Sequence, residues 1–335
     1  MPQANIAKQY IMSILTTQQL SIGYSKKGKT TIVQSELDLQ LIGGELVCLI
    51  GPNGSGKSTL VRSLCGLQNP LSGNVFIEGQ DVSKISTAER ALLIALVLTD
   101  KVEIENTTVE DVVAFGRHPY SNWWGNTSDE DVIRVKDAIE MVHLKKHQFK
   151  LLNELSDGEH QRVMIAKALA QDTPIILLDE PTAHLDLPNR VEIMMLLHRL
   201  AHDTGKAILM STHELDLALQ AADRIWLMND DQKGVITGIP EDLVFNGSFN
   251  RTFESKSYFF NASNGNFSFN YPLTKKVWVT GDKTRLYWTL RALARAGFKV
   301  VQDAEISIEM TNSNWKIQDE VFYTIEELLA KLTRL

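Results

Sequence analysis

Hydrophobic and polar residues alternate near the N-terminus, in the segments SILTTQQLSIGYS and TIVQSELDLQL. This two-residue period predicts half-buried antiparallel strands. Three later segments are almost continuously apolar instead, namely ELVCLI (45–50), PIILLDE (174–180) and KAILMSTH (206–213). Such short apolar runs are typical of strands buried on both faces of a parallel sheet. The pattern therefore predicts an α/β fold with a mostly parallel sheet and an antiparallel β subdomain.

Helical patterns separate these predicted strands. STLVRSLCGL follows a glycine-rich turn, and NRVEIMMLLHRLAHDTG predicts a helix that stops at Gly205. Residues from about 80 to 150 read as mostly helical, with the loop FGRHPYSNWWGNTSDED in the middle. We therefore expect a helical subdomain at about 85–170.

The composition changes near residue 245, where Asn, Ser and Phe become frequent, and this stretch predicts irregular strands and loops. Beyond this stretch, KKVWVTG predicts a strand, Asp282 can cap a helix, FKVVQ and ISIEM predict two more strands, and Thr324 with Glu327 caps a last helix. The expected organisation is a main domain at 11–245, an irregular linker at 246–274 and a small C-terminal α/β domain at 275–335.

Composition narrows the functional classes. The chain has 335 residues and a net charge of −7, which argues against generic binding to nucleic acid or anionic lipid. No apolar run approaches the ~18 residues that span a bilayer, and the N-terminus lacks a signal-peptide pattern. Cys48 and Cys65 lie in apolar segments and are expected to be buried, reduced thiols. We expect a cytosolic protein whose membrane contact, if any, comes through a partner.

The sequence GPNGSGKST follows a predicted strand and precedes a predicted helix, as a phosphate-binding loop requires. Its glycines allow backbone N–H groups to converge on phosphate oxygens at a helix start. Lys57 would reach the β- and γ-phosphates, and the Ser58 hydroxyl would bind Mg²⁺. The motif alone leaves kinases, GTPases and transport ATPases open. The expected nucleotide-binding residues are Gly51, Asn53, Gly54, Ser55, Gly56, Lys57, Ser58 and Thr59.

Two buried strands end in polar residues that suit phosphate chemistry. Asp179 ends one strand, where it could hold Mg²⁺ through water, and Glu180 is then placed to orient an attacking water. Asp186 follows at a turn and is an expected nucleotide-binding residue. His213 closes another strand and is expected to contact the γ-phosphate. Glu180, His213 and Lys57 are therefore the expected catalytic residues.

The segment LSDGEHQRVMIAKAL begins with a capping box, in which Ser156 and Glu159 each satisfy a backbone N–H group at the helix start. Capping does not explain Gly158, because glycine in a helix costs about 1 kcal/mol relative to alanine. Another group is therefore expected to approach the backbone of Gly158 closely.

Together the motifs GPNGSGKST, LSDGE, ILLDEPT, HLD and STH, with Tyr24 upstream, resemble the ATP-binding-cassette (ABC) ATPases over roughly residues 13–245. The resemblance implies a P-loop NTPase fold, ATP and Mg²⁺ as cofactors, and a homodimer with two ATP molecules at its interface. Ser156 and the Gly158 backbone would meet the γ-phosphate held by the second copy. Tyr24 resembles the aromatic residue that stacks on adenine, although a strand aromatic in the core stays open.

The chain departs from the family pattern at two positions. The signature usually reads LSGGQ, and here Asp157 and Glu159 replace Gly and Gln. The loop that normally supplies a glutamine to Mg²⁺ and water contains none between Gln80 and Gln148, and Thr99 or Asp100 stands at or beside that position. Either could bind Mg²⁺ or water through oxygen.

Within the family, VEDVVAFGRHPY and the residues around the signature resemble importer ATPases for iron-siderophores, haem and vitamin B12. This resemblance implies two membrane-embedded permease subunits, an external substrate-binding protein and a peripheral position at the cytoplasmic face of the inner membrane, with no nucleic acid. The alternatives are a soluble ABC ATPase acting on DNA or ribosomes and a plain P-loop kinase. The spacing of His143 and His147 suggests metal ligands, but no third ligand is evident and a solvated face is expected.

Overall fold

The computed structural model describes residues 13–26, 29–99, 105–120, 128–229, 234–262 and 265–334. The chain divides into two compact units, Met1–Phe253 and Glu254–Leu335. Within the described residues, no helix has the length and apolar character needed to cross a bilayer.

The first unit contains two sheets. Its described strands are β1 (Ser13–Lys26), β2 (Lys29–Leu37), β3 (Gln40–Ile42), β4 (Leu46–Ile50), β5 (Ser72–Ile77), β6 (Gln80–Asp81), β7 (Ile94–Val97), β8 (Ile175–Asp179), β9 (Ala207–Ser211), β10 (Arg224–Asn229) and β11 (Gly234–Gly238). Its described helices are α1 (Lys57–Leu64), α2 (Thr87–Leu93), α3 (Val109–Ala114), α4 (Asp129–Met141), α5 (Asp157–Ala170), α6 (Leu187–Thr204), α7 (Leu215–Ala221), α8 (Pro240–Phe245) and α9 (Ser248–Phe253), with 3₁₀ segments at Phe115–Tyr120, Lys145–His147 and Leu152–Glu154.

The larger sheet has the strand order β11-β10-β4-β9-β8-β7, and only the β10–β11 pair is antiparallel. Every residue of β4, β8 and β9 is buried, as their continuous apolar runs predict. Because β4, β8 and β9 are parallel neighbours, their carboxyl ends meet at one edge of the sheet. This edge carries the predicted phosphate loop, Asp179 and His213.

The second sheet is antiparallel, with the order β2-β1-β5-β6 and with β3 also paired to β1. It contains the two N-terminal segments whose alternating pattern predicts antiparallel strands. Leucine and valine residues of α1 pack in one core cluster with residues of both sheets, including Leu15, Leu49 and Trp226. This packing fixes the helix that carries the phosphate loop.

The described part of the segment predicted to be mostly helical begins with the short strand β6 and contains a further strand, β7, directly after α2. The prediction missed it because a four-residue apolar run beside a helix has no period that separates strand from helix. The four helices α2, α3, α4 and α5 each begin with a capping box in which the first-turn acid bonds back to the cap residue. Arg117 joins α4 to the end of α5, since it donates to Asp131 Oδ1 at 2.7 Å and to the carbonyl of Ala170 at 2.8 Å.

Within its described residues, the second unit contains a hairpin of β12 (Tyr258–Asn261) and β13 (Asn266–Phe269) and a separate five-stranded sheet with two helices. The remaining elements are β14 (Lys275–Gly281), α10 (Leu286–Arg295), β15 (Phe298–Val300), β16 (Ser307–Met310), β17 (Trp315–Ile317), β18 (Glu320–Phe322) and α11 (Ile325–Arg334). The sheet order is β15-β14-β16-β17-β18, and a core cluster of its own includes Leu293, Trp315 and Leu328.

Two sequence predictions in the second half of the chain need correction. Residues 246–274, predicted as irregular strands and loops, contain the β12–β13 hairpin and also a helix, α9, that the prediction did not include. Asp282 does not cap α10: its carboxylate accepts from the N–H of Thr284 at 2.7 Å, and the helix begins at Leu286. The acid forms a local turn because its side chain reaches the backbone two residues ahead. The Thr324–Glu327 cap of α11 is confirmed.

Candidate nucleotide-binding and catalytic site

The phosphate loop lies between β4 and α1, in the order that the sequence predicts. Gly54 and Gly56 have φ angles of 84° and 100°, a left-handed region that favours glycine. A Cβ atom on Gly56 would lie 2.2 Å from Val33 Cγ1, so the loop also needs glycine there for space. The backbone of the loop is therefore built around glycine, and α1 starts directly behind it at Lys57.

Lys57 is folded over its own loop. Its Nζ donates to the carbonyls of Gly51 at 3.0 Å and Pro52 at 3.2 Å, and the residue is only 6% exposed. The positive charge is thereby held against the loop at the start of a helix, where backbone N–H groups already favour an anion. This part of the site can bind phosphate oxygens.

Asp179 is held by two hydroxyl groups. Ser58 Oγ donates to Asp179 Oδ1 at 3.1 Å, and Ser211 Oγ donates to the same oxygen at 2.6 Å. Ser58 and Asp179 thus present a hydroxyl and a carboxylate side by side, a pair of oxygen ligands that suits Mg²⁺.

Ser211 also fixes the residue after Asp179. The backbone N–H of Glu180 donates to Ser211 Oγ at 2.9 Å, and Glu180 has a φ angle of 50°. A left-handed backbone at a residue other than glycine costs of order 1–3 kcal/mol and persists where the surroundings enforce it. The Ser211 hydroxyl is therefore the link between the backbone of Glu180 and the carboxylate of Asp179.

The side chain of Glu180 meets His213 at the mouth of the site. His213 Nε2 lies 2.8 Å from Glu180 Oε1, and both side chains are partly exposed. The two expected catalytic residues therefore form a direct contact, from the ends of two neighbouring strands.

A cavity of about 370 Å³ lies among these groups. Tyr24 stands at its edge, 53% exposed, with its hydroxyl 2.7 Å from Thr59 Oγ1. That exposure excludes the alternative of a core aromatic for Tyr24. The cavity is lined by Tyr24, Val33, Asn53, Gly54, Gly56, Lys57, Ser58, Thr59, Glu180 and His213.

Thr99 contacts the backbone of Asp179 and is not among the described residues that line the cavity. Its Oγ1 donates to the backbone carbonyl of Asp179 at 2.7 Å, so it supports the end of β8. Its role at Mg²⁺ or water stays a prediction. Asp100, the other expected substitute for the missing glutamine, lies outside the described residues.

Ser156 and Gly158 do not line this cavity in the described part of the chain. The expected capping box is present: Ser156 Oγ donates to Glu159 Oε2 at 2.8 Å and accepts from the Glu159 N–H at 3.3 Å. A Cβ atom on Gly158 would lie 2.3 Å from Asn189 Oδ1. The close approach that the glycine suggests is thus supplied, within this chain, by the side chain of Asn189.

Asp186 caps α6 rather than lining the cavity. Its Oδ1 accepts from the backbone N–H of Asn189 at 3.1 Å and from Asn189 Nδ2 at 2.6 Å. Asp186, Asn189 and Gly158 therefore form one contact between the starts of α5 and α6. The sequence patterns did not indicate the contact of Asn189 with Gly158. They also did not indicate the hydrogen bonds of Ser211, which lies in the STH motif.

The two cysteines lie outside the site. Both are buried and free, and burial raises the pKa of the Cys48 thiol to about 12. Such thiols are inert at neutral pH.

Comparison with known proteins agrees with this geometry. The family model described as ABC transporter matches residues 34–183. The chain is 40% identical over 233 residues to the achromobactin transport ATP-binding protein of Dickeya dadantii, a match that covers 70% of this chain and 85% of that protein. The chain belongs to the ABC transporter family. It is an ATP-hydrolysing cassette, with the P-loop NTPase fold that the sequence motifs imply.

Other similar proteins extend the match. The chain is 35% identical over 268 residues to an uncharacterized ABC transporter ATP-binding protein of Methanocaldococcus jannaschii, and the match covers 79% of this chain and 91% of that one. It is 37% identical over 207 residues to the iron(3+)-hydroxamate import ATP-binding protein of Bacillus subtilis, covering 62% and 76%. The dimeric structure of the bacterial ABC transporter cassette MJ0796 matches with a TM-score of 0.58 and 28% identity, covering 68% of this chain and 98% of that chain.

The C-terminal unit also has a family match. A second family model, described as Iron ABC transporter C-terminal domain, matches residues 274–333. The expectation that the family resemblance ends near residue 245 was therefore wrong. The short motifs that identify the cassette all lie before that point, which is why the sequence motifs did not extend the resemblance further.

Proposed function

We propose that this ABC cassette is the ATP-hydrolysing subunit of an importer for an iron chelate of the siderophore class. One observation carries the catalytic part: Glu180, His213, Ser58 and Lys57 converge on one cavity behind a glycine-dependent loop. An iron chelate is favoured because one relative is named for iron(3+)-hydroxamate import and the C-terminal model is named for iron transporters. Vitamin B12 is the second candidate, since another relative is named for cobalamin import. We assign the ATPase role to the cassette at 11–245 and treat 275–335 as an appended domain, with the α9 helix and the β12–β13 hairpin in the residues between them.

The residues of the cavity divide the chemistry among them. The phosphate loop and Lys57 bind the ATP phosphates, and Tyr24 offers a ring for the adenine. Glu180 orients the attacking water and accepts its proton, and His213 holds the Glu180 carboxylate and contacts the γ-phosphate. Mg²⁺, bound by Ser58 and through water by Asp179, would neutralise charge on the phosphates.

A second copy of the chain completes the site in this proposal. Ser156 and the backbone of Gly158 lie at a helix start outside their own cavity, where the partner's γ-phosphate could be bound. The dimeric form of a similar cassette supports this arrangement. Binding of two ATP molecules would close the homodimer, and hydrolysis would release it. Closure would move two permease subunits at the cytoplasmic face of the membrane, with an external binding protein delivering the chelate.

Glu180→Gln tests the catalytic assignment. Because this change removes the base and keeps the shape, we expect ATP binding to survive and hydrolysis to fall by roughly 10²–10⁴-fold. ATP should then trap a stable dimer, visible by sedimentation. Glu214→Gln is the matched control, since Glu214 is a nearby carboxylate that pairs with Arg190 at 2.7 Å and does not line the cavity. Turnover of the Glu180 variant within a few-fold of the control would remove Glu180 from this role.

The cargo is tested separately by growth of a deletion strain. Ferric siderophores, haem and cobalamin should be supplied as separate sole sources, and only growth on the siderophore should be lost. Loss of growth on haem or cobalamin instead would reassign the cargo while leaving the ATPase assignment intact. Unaffected uptake of all three, with no membrane subunit in co-purification, would favour the soluble DNA- or ribosome-associated alternative.

A further inference from the structure

Two imidazoles and a carboxylate come together on the cassette outside the nucleotide site. His198 and His202 lie four residues apart on α6, and Asp223 lies directly before β10. One ligand atom from each of the three residues lies within 4.8 Å of the other two. Residues at this spacing share one face of a helix, and the two ring centroids are 4.4 Å apart.

Both rings approach the same carboxylate oxygen. Asp223 Oδ1 lies 3.1 Å from His202 Nε2 and 3.8 Å from His198 Nε2. A tetrahedral ion with bonds of about 2.0–2.1 Å holds its ligand atoms about 3.3 Å apart. The two distances fall on either side of this value, so small rotations of the rings would bring all three atoms onto one ion.

The backbone of Leu46 holds the Asp223 carboxylate in place. The N–H of Leu46 donates to Asp223 Oδ2 at 2.8 Å, and the N–H of Asp223 donates to the carbonyl of Leu46 at 3.0 Å. Oδ1 faces both histidines, and His202 Nε2 also lies 3.2 Å from Oδ2. A backbone partner that orients a ligand is typical of metal sites in proteins. The side chains are 24–48% exposed, which gives an ion access from solvent.

A simple ion pair explains only part of this arrangement. His202 lies in the last turn of α6, where a cation is favourable, so its contact with Asp223 could form without any ion. That pairing does not account for His198, whose Nε2 lies beside the same oxygen. An ion bound by Asp223 and both rings would use the nitrogen of each imidazole that faces the carboxylate.

A second histidine pair with the same sequence spacing lines the same cavity as His198, but its rings have other neighbours. His143 Nε2 lies 2.7 Å from the guanidinium of Arg199, and His147 Nδ1 lies 2.9 Å from Glu159 Oε1. Each of these rings already has a partner, and the arginine repels a cation. This pair is therefore a matched control for the other.

We propose that His198, His202 and Asp223 form a binding site for a divalent first-row transition-metal ion. Two imidazole nitrogens and one carboxylate favour Zn²⁺, Fe²⁺ or Co²⁺ over Mg²⁺ and Ca²⁺. Three protein ligands leave a coordination position for water. The bound ion would tie the C-terminal end of α6 to the segment before β10, and the site is independent of the cargo proposed above.

The test is Zn²⁺ binding to the full chain, without an affinity tag, in nucleotide-free buffer with excess Mg²⁺, measured by competition with a chromophoric chelator. We expect the double variant His198→Ala/His202→Ala to lose one equivalent of Zn²⁺. Asp223→Asn keeps an acceptor for the Leu46 N–H, and it should weaken binding by at least about 10–100-fold, the loss that even a second-shell change causes. His143→Ala/His147→Ala should bind as the wild type does.

Two further readouts exclude an effect of misfolding. Each variant should show cooperative unfolding in the presence of a chelator, and Zn²⁺ should raise its own unfolding temperature only where the three ligands are intact. Co²⁺ should give a visible absorption band that Asp223→Asn abolishes. Equal Zn²⁺ stoichiometry and affinity in the wild type and the His198/His202 variant would overturn the proposal, as would an equal loss in the His143/His147 variant.

Discussion

Ser211→Ala is the change that most directly tests how the catalytic edge of the sheet is held. Ser211 is fully buried at the end of β9. Its single hydroxyl donates to Asp179 Oδ1 at 2.6 Å and accepts from the Glu180 N–H at 2.9 Å. Alanine removes both bonds and adds no new volume, so the variant isolates the hydroxyl.

The expected loss of stability follows from these two bonds. A hydrogen bond to a charged group contributes about 1.5–3 kcal/mol, and a buried donor left without an acceptor costs about 1–3 kcal/mol. The two effects share one atom and are not additive, so we expect a total near 3 kcal/mol. For a unit of this size each kcal/mol lowers the melting temperature by about 2–4 °C, which gives a fall of about 6–12 °C.

Catalysis should suffer separately from stability. The backbone of Glu180 loses the contact that holds its left-handed conformation, so its carboxylate should leave the position facing the cavity. A displacement of about 1 Å at such a group can cost about 10²-fold in rate. We therefore expect kcat to fall by about this factor, with a much smaller change in KM for ATP.

The assays are thermal unfolding and steady-state ATP hydrolysis at a temperature where every variant is folded. Ser63→Ala is the matched control, because Ser63 is 1% exposed and its hydroxyl has no hydrogen-bond partner within the described residues. Removing that hydroxyl should be neutral or stabilising. If Ser211→Ala loses no more stability and no more kcat than Ser63→Ala, the reasoning about the Asp179–Ser211–Glu180 link is refuted.

Four further changes have defined outcomes. Gly158→Ala should disturb catalysis by pushing the Asn189 side chain from its place, and Asn189→Ala should rescue it; no rescue would contradict the contact. Thr99→Ala should lower the ATPase rate across a Mg²⁺ titration, and an unchanged rate and Mg²⁺ dependence would show that this loop makes no catalytic contact. The backbone N–H of Ser128, followed by Arg117, lowers the pKa of Asp131 from 3.8 to about 2, so stability should be lost as pH falls from about 4 to about 2; the same acid profile for Asp131→Asn would refute this. Truncation from Lys275 onward should weaken self-association in sedimentation, whereas an unchanged dimer with altered basal hydrolysis would indicate regulation.

The sequence predicted those parts of the site that depend on one segment at a time. The phosphate loop, the buried strands β4 and β8, and the capping box at Ser156 are each encoded locally by glycines, apolar runs and short polar side chains. The positions of Asp179 and His213 at one sheet edge followed from the rule that parallel strands share their carboxyl ends.

The parts that were missed depend on pairing between distant segments. Ser211 meets Asp179 because β8 and β9 pair in register at these two residues, and no local pattern specifies that register. Asn189 meets Gly158 only through the packing of α6 against α5. The strands β10 and β11 were not predicted for a similar reason, since the strand preference of a short segment depends on its packing against neighbouring strands.

The capping box of α5 has a consequence for any anion that reaches this helix start. The Ser156 hydroxyl carries one hydrogen, and the Glu159 carboxylate already accepts it at 2.8 Å. A phosphate oxygen that accepts a hydrogen bond from Ser156 must displace the Glu159 carboxylate from that bond. The negative charge of Glu159 then stays beside the phosphate and repels it. Neutral glutamine, the usual residue of the family at this position, would impose no such repulsion. In this chain, the Glu159 carboxylate therefore competes with the ligand for the Ser156 hydroxyl, and its negative charge determines how strongly it competes.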